Sequence, residues 1–197
     1  MKRILIAFMS LLSALILCTC SLSEAKQESD YIALMVDAAL VGDYVQGREA
    51  ERLHKEHLRA LGAENDAISF DDLYILSKFI QLQSTVFQNN ETLLLCAGEV
   101  ALNRLASREF PNSLEEVVAQ LVDIENNEFK RWPSKYCVQL ALRLLNGERL
   151  LAPHVVHWSM ETQEDAYATF CDRQQHFVYF CESEYPRFYH LPNKKPT

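Results

Sequence analysis

Residues Glu99 to Gln120, EVALNRLASREFPNSLEEVVAQ, restrict the fold more tightly than any other stretch. Leu93, Ala97, Val100 and Arg104 recur at i, i+4, i+7 and i+11, the spacing of one helix face. An apolar stripe therefore ends in a guanidinium. A charge at the edge of such a stripe needs a partner, so Arg104 should reach a carboxylate or backbone carbonyls inside the domain. Phe110-Pro111-Asn112 makes a turn. Asn112 or Ser113 can cap the helix that follows, and Ser113 with Glu116 has capping-box spacing. The stretch reads as a buried helix, a turn and a capped second helix.

At the start of the chain Lys2-Arg3 precede an apolar run from Ile4 to Leu17, and small residues follow at Ser21, Ser23 and Ala25. This is the order of a secretory signal peptide, and the run is short of the about 20 apolar residues of a bilayer span. Residues 1–25 are therefore expected to be removed, which places the protein outside the cytoplasm and ties it to the membrane only through that segment. An uncleaved anchor is the alternative, and a lipoprotein through Cys18 or Cys20 a weaker one, because Leu17 and Thr19 stand where a lipobox has a smaller residue. Removal takes away Lys2, Arg3 and Glu24, a net +1, and turns the formal charge of −8 into −9. An acidic chain is a poor partner for nucleic acid or anionic lipid, so binding to any anionic polymer has to come from a groove rather than bulk charge. What remains is long enough for one domain with a core and short for two.

Residues 26–30 read as a polar linker. Tyr31, Leu34, Met35 and Ala38 form a helical stripe, and a charged helix runs from about Asp43 to Leu61 with Leu53, His57 and Leu61 as its apolar face. Together, residues 26–70 form a linker and accessory helices. From Asp71-Asp72, acidic residues suited to a helix N-terminus, Leu73, Leu76, Ile80 and Gln83 share a face. Gln88-Asn89-Asn90 breaks the pattern. Pro133 suits a first turn, and the helix after it ends at Gly147. Val155–Trp158 and Phe177–Cys181 are the convincing strands. The fold class is α+β, predominantly helical, with a small antiparallel sheet toward the C-terminus.

Four cysteines lie beyond the leader: Cys96, Cys137, Cys171 and Cys181. In an exported chain they allow three pairings. Cys96, within an apolar helix, reads as a buried thiol, and Cys171 with Cys181 flank a possible hairpin and are the pair to expect if a bridge forms. No metal spacing exists. His154 and His157 fall on opposite faces of a strand, and His54 and His57 lack the i, i+4 spacing and glutamate of a zinc protease. No metal or cofactor is expected. Trp132, Trp158, Tyr167 and Tyr179 can stack on sugar faces or fill core.

Leu102-Asn103-Arg104, Phe110-Pro111-Asn112, and Val117-Val118 followed by Gln120 resemble, in order and spacing, the core of the SleB/CwlJ-type cell-wall hydrolases of bacteria. Cys137–Ala141, Leu145-x-Gly147-Glu148-Arg149, Val155-Val156 and Tyr179-Phe180-Cys181 resemble later blocks, so the likeness covers about Leu73 to Tyr189. It implies a lysozyme-like core in residues 71–190, a tail at 191–197, and action on the glycan strands of peptidoglycan. The family's catalytic glutamate follows the pattern Leu-x-x-x-Ile-x-x-Glu. Here that pattern is Leu76-x-x-x-Ile80-x-x-Gln83, so an amide stands where the acid is expected. A glutamine has no proton of suitable acidity to deliver to a leaving oxygen. Glu91 and Glu99 are the nearest alternative acids; both also read as surface or capping carboxylates, and Glu99 shares a face with Asn103. Asn103, Trp158 and Tyr179 are the substrate-binding candidates, with the C-terminal strands forming one wall of a groove and the Gln83 helix the other. Three readings follow: a peptidoglycan hydrolase using another acid, a homologue that binds glycan without turnover, and a helical interaction protein. The oligomeric state is left open.

Overall fold

The structure, a computed structural model, describes residues 25–64, 67–122, 124, 129–163, 166–171 and 176–182. The expected leader, apart from residue 25, and the tail lie outside these residues. The chain divides into two compact units, one ending at Phe70 and one starting at Asp71.

The first unit is a helical hairpin. Helix α1 covers 25–41, so the segment expected to be a polar linker is helical instead. Gly42, at φ 67°, and Asp43 make the turn. Helix α2, Tyr44–Leu61, is capped by Asp43, whose Oδ1 accepts the Gln46 N–H at 3.0 Å. It stops at Gly62, whose left-handed φ of 77° suits glycine. The buried face of α2 is Gly47, Ala50, His54 and Leu58. This corrects the expected face, since Leu61 is exposed and Leu53 and His57 are half-buried. Close approach decides the rotation: a Cβ on Gly47 would lie 2.3 Å from the Phe70 ring, so only the small-residue face admits that ring. Arg52 pairs with Glu49 and Glu56 on the outer side.

The second unit is built around α4. Helix α3, Phe70–Val86, leads through Gln88 and Asn89, at φ 50° and 57°, to Asn90, whose side chain caps α4, Glu91–Ala106. Every residue from Leu93 to Ala101 is buried, including the stripe Leu93, Ala97 and Val100, and Arg104 is 1% exposed. A helix buried all round belongs to a core. Gly98 is where its neighbours come closest: a Cβ there would meet Leu144 of α6 at 2.5 Å and Ile80 of α3 at 3.3 Å. Helix α5, Leu114–Leu121, starts at Ser113, whose hydroxyl accepts the Glu116 N–H at 3.3 Å. Helix α6, Lys135–Leu145, is capped by Ser134, so Pro133 precedes the cap rather than sitting in the first turn. Gly147, at φ 92°, follows the C-cap Asn146.

Strands β1 (His157–Ser159), β2 (Ala168–Cys171) and β3 (Phe177–Cys181) form an antiparallel sheet in the order β1-β3-β2. Val155 and Val156 lead into β1 rather than belonging to it. The described residues thus give a predominantly helical α+β chain with a small C-terminal sheet. No described helix is long and apolar enough to cross a membrane. The expected Cys171–Cys181 bridge is absent. Cys171 pairs with Phe177, at the far end of β3 from Cys181. Four residues of strand separate them by about 13 Å, about twice the Cα spacing a disulfide tolerates.

Candidate functional site

Glu99, Asn103 and Arg104 lie at i, i+4 and i+5 on α4, and all three hold one segment of backbone. The N–H groups of Leu150 and Leu151 donate to Glu99 Oε2 at 2.7 and 3.0 Å. Asn103 donates both amide hydrogens, to the carbonyls of Ala152 and Val155, each at 2.9 Å. Arg104 Nε donates to the Val156 carbonyl at 2.6 Å, and its guanidinium lies 4.8 Å from the centre of the Phe110 ring. The expected partner of Arg104 is thus a backbone carbonyl. Asn103, nominated for substrate, is 6% exposed and has both hydrogens engaged. It acts on a ligand only through the segment it holds. That segment feeds β1 and places Trp158.

Gln83 occupies the α3 face shared with Leu76 and Ile80, both fully buried. Its side chain is 3% exposed, and Oε1 is shut from solvent with no hydrogen-bond partner among the described residues. One turn on, Phe87 meets Trp158 edge to face, with ring centres 5.1 Å apart. The C-terminal end of α3 and strand β1 therefore adjoin. The strand register corrects the expected groove wall. Trp158 pairs with Phe180, and Tyr179 pairs with Ser159 and Thr169. Neighbouring residues of a strand point to opposite faces, so Trp158 and Tyr179 cannot line the same wall. Trp158 shares its face with Phe180 and with Phe170, whose rings meet edge to face at 5.7 Å.

The two alternative acids differ sharply. Glu91 is exposed and accepts from Arg143 at 2.8 Å and from the Tyr136 hydroxyl at 3.2 Å. The guanidinium holds its carboxyl below the usual range, which keeps it ionised. Glu99 is fully buried, not at the surface. Burial pushes its pKa up, opposed by the two backbone N–H groups and by Arg149. A raised pKa suits a general acid, but Oε2 is engaged and Oε1 has no contact with solvent. A depression of about 380 Å³ lined by Glu91, Tyr136, Gln139 and Arg143 contains neither Gln83 nor Glu99.

Among the described residues no group of histidine, cysteine and carboxylate side chains is arranged to hold a metal. His154 faces the Tyr167 ring at 5.3 Å and Glu182 at 3.3 Å. Cys96 is fully buried and its thiol is pushed up to about 12 by burial, which leaves it un-ionised at neutral pH. Sequence patterns missed the 150–156 segment and Phe87. Phe87, four residues beyond Gln83, was legible as the next apolar position of the helix face. The segment had no local signal, since its partners stand 49 to 52 residues earlier. Comparison with protein-family models, with curated proteins and with solved structures returns no match.

Proposed function

We propose that this chain is an exported protein of the SleB/CwlJ cell-wall hydrolase type that engages the glycan strands of peptidoglycan, with hydrolysis weak or lost. In this reading the second unit is a lysozyme-like domain, the leader is its only tie to the membrane, and no cofactor takes part. The observation that carries it is the state of Gln83. At the position of the family acid stands a side chain more than nine-tenths buried whose carbonyl oxygen has no donor among the described residues. Such an oxygen can accept from a sugar hydroxyl or an acetamido N–H. It cannot protonate a glycosidic oxygen, a step worth about 10²- to 10⁴-fold in rate.

The test is release of soluble glycan fragments from purified cell walls. The parent should release little and Gln83→Glu markedly more, because a carboxyl of the same length in a buried site has a raised pKa. Lysis by the parent that survives Gln83→Ala would refute the assignment. A second reading rests on Glu99, whose pKa burial raises as an acid requires. It demands that residues 150–151 release Oε2, and it predicts that lysis by the parent disappears in Glu99→Gln. Binding of muropeptide without lysis by either the parent or Gln83→Glu would leave glycan recognition as the whole function.

A further inference from the structure

The hairpin of the first unit closes around a buried histidine, His54. Tyr31 of α1 stands against both histidines of α2, its ring centre 6.5 Å from that of His54 and 5.9 Å from that of His57. His54 is 1% exposed, and neither Nδ1 nor Nε2 has a hydrogen-bond partner among the described residues. His57 Nε2 is in the same condition. Three charged or titratable groups besides Tyr31 bear on His54. Glu28 of α1 brings Oε1 to 3.8 Å from Nε2, but its side chain is 43% exposed. His57 follows one turn later on α2. Glu51 precedes by a turn, with one oxygen on the Lys55 ammonium and the other accepting the Phe70 N–H at 2.9 Å.

We propose that the α1–α2 hairpin is an acid-released latch, closed while the His54 imidazole is neutral and opened when that imidazole takes up a proton. A protonated ring carries two N–H donors. Nδ1–H would have no acceptor, and Nε2–H would face a carboxylate beyond hydrogen-bond distance and screened by water. A protonated His57 adds a like charge. Burying such a cation costs more than a distant, half-exposed partner returns. Burial accordingly holds the His54 pKa below its ordinary value of 6.5, against the smaller opposing pull of Glu28. The opened chain binds the proton more readily than the closed one. The closed state is therefore fully favoured above the ordinary histidine value and loses stability as pH falls below it, down to the depressed pKa.

Hydrogen exchange on the full chain tests this. Amides of residues 44–61 are compared at about pH 7.5 and about pH 5.5, on either side of the ordinary histidine value, after correction for intrinsic exchange. We expect the parent to exchange several-fold faster in acid, because a proton on His54 favours the opened chain. His54→Leu should show no such change, His57→Gln should keep most of it, and Glu28→Gln should enlarge it by removing the larger of the two carboxylate influences that favour the imidazolium, the other being Glu51. Exchange that slows in acid, or a parent-like response in His54→Leu, overturns the proposal. If His54→Leu does not fold, NMR titration of the His54 ring in the parent decides: a pKa below the ordinary value supports the latch, and one at or above it refutes it.

Discussion

On α4, Glu99, Asn103 and Arg104 each end on the backbone of residues 150–156. On α3, Gln83 is about as deeply buried, and its carbonyl oxygen has no donor among the described residues. The serines beside it on α3 do not share this condition, since Ser77 and Ser84 donate to the carbonyls of Leu73 and Gln81. A buried polar group with its partners in place specifies architecture. One without costs about 1–3 kcal/mol, and it is tolerated where a water or a ligand brings the missing group. Glu99 Oε1 is orphaned too, but Oε2 of the same carboxylate holds two backbone N–H groups, so the contrast is between side chains anchored on residues 150–156 and one that is not.

Breaking the α4 side of the contrast should have the largest effect. Arg104→Ala removes a charge-assisted hydrogen bond and the contact with Phe110, and it opens a cavity, for a loss of about 3–5 kcal/mol. Thermal unfolding should show a clear drop in Tm. An unchanged Tm would mean that Arg104 does not hold the segment in solution.

Glu99 gives a smaller, pH-dependent effect. Glu99→Ala strands two backbone N–H groups and should cost about 2–4 kcal/mol. Glu99→Gln keeps an acceptor for them without a charge. Because burial raises the folded-state pKa of Glu99 above its ordinary value near 4.5, its contribution is complete below that value and falls as pH rises through the raised one. Denaturant titrations from acid to neutral pH should show the parent losing stability relative to Glu99→Gln. Parallel curves would show that folding leaves the carboxyl's affinity for its proton unchanged.

The smallest effect sharpens the contrast most. Gln83→Met conserves length and removes the orphaned oxygen, so stability should stay within about 0.5 kcal/mol of the parent while retention on insoluble cell walls falls. A loss of stability as large as that of Glu99→Ala would make Gln83 another architectural residue.

Periodicity made the helices of the second unit legible, together with the burial of the Leu93, Ala97 and Val100 stripe and the inward course of Arg104. The helix face of α2 was misjudged because hydrophobicity pointed to Leu53 and Leu61, whereas the room needed by the Phe70 ring selected Gly47. Strand β2 was overlooked because Ala168–Cys171 is four residues long and recognisable only through its pairing with β3. The motif residues Asn103, Arg104 and Phe110 turn out to serve one clamp. Their order in the chain reports a way of packing rather than a chemical step. Gln83 was legible only as a departure from a pattern, and its lack of a donor among the described residues depends on packing that no local pattern reports.

The clamp also bears on the order in which the chain folds. Its contacts join residues 49 to 52 positions apart, and closing loops of that length is entropically slower than forming the local turns of α3 and α4. Until residues 150–156 arrive, Glu99 and Arg104 have water for company, and their desolvation waits for the docking of that segment. A chain still emerging from its site of synthesis, or cut short before Leu150, would present α4 with an unfilled charged edge. Completion of the second unit is thus registered at a late point in the sequence, by the arrival of a stretch of backbone rather than by any side chain it carries.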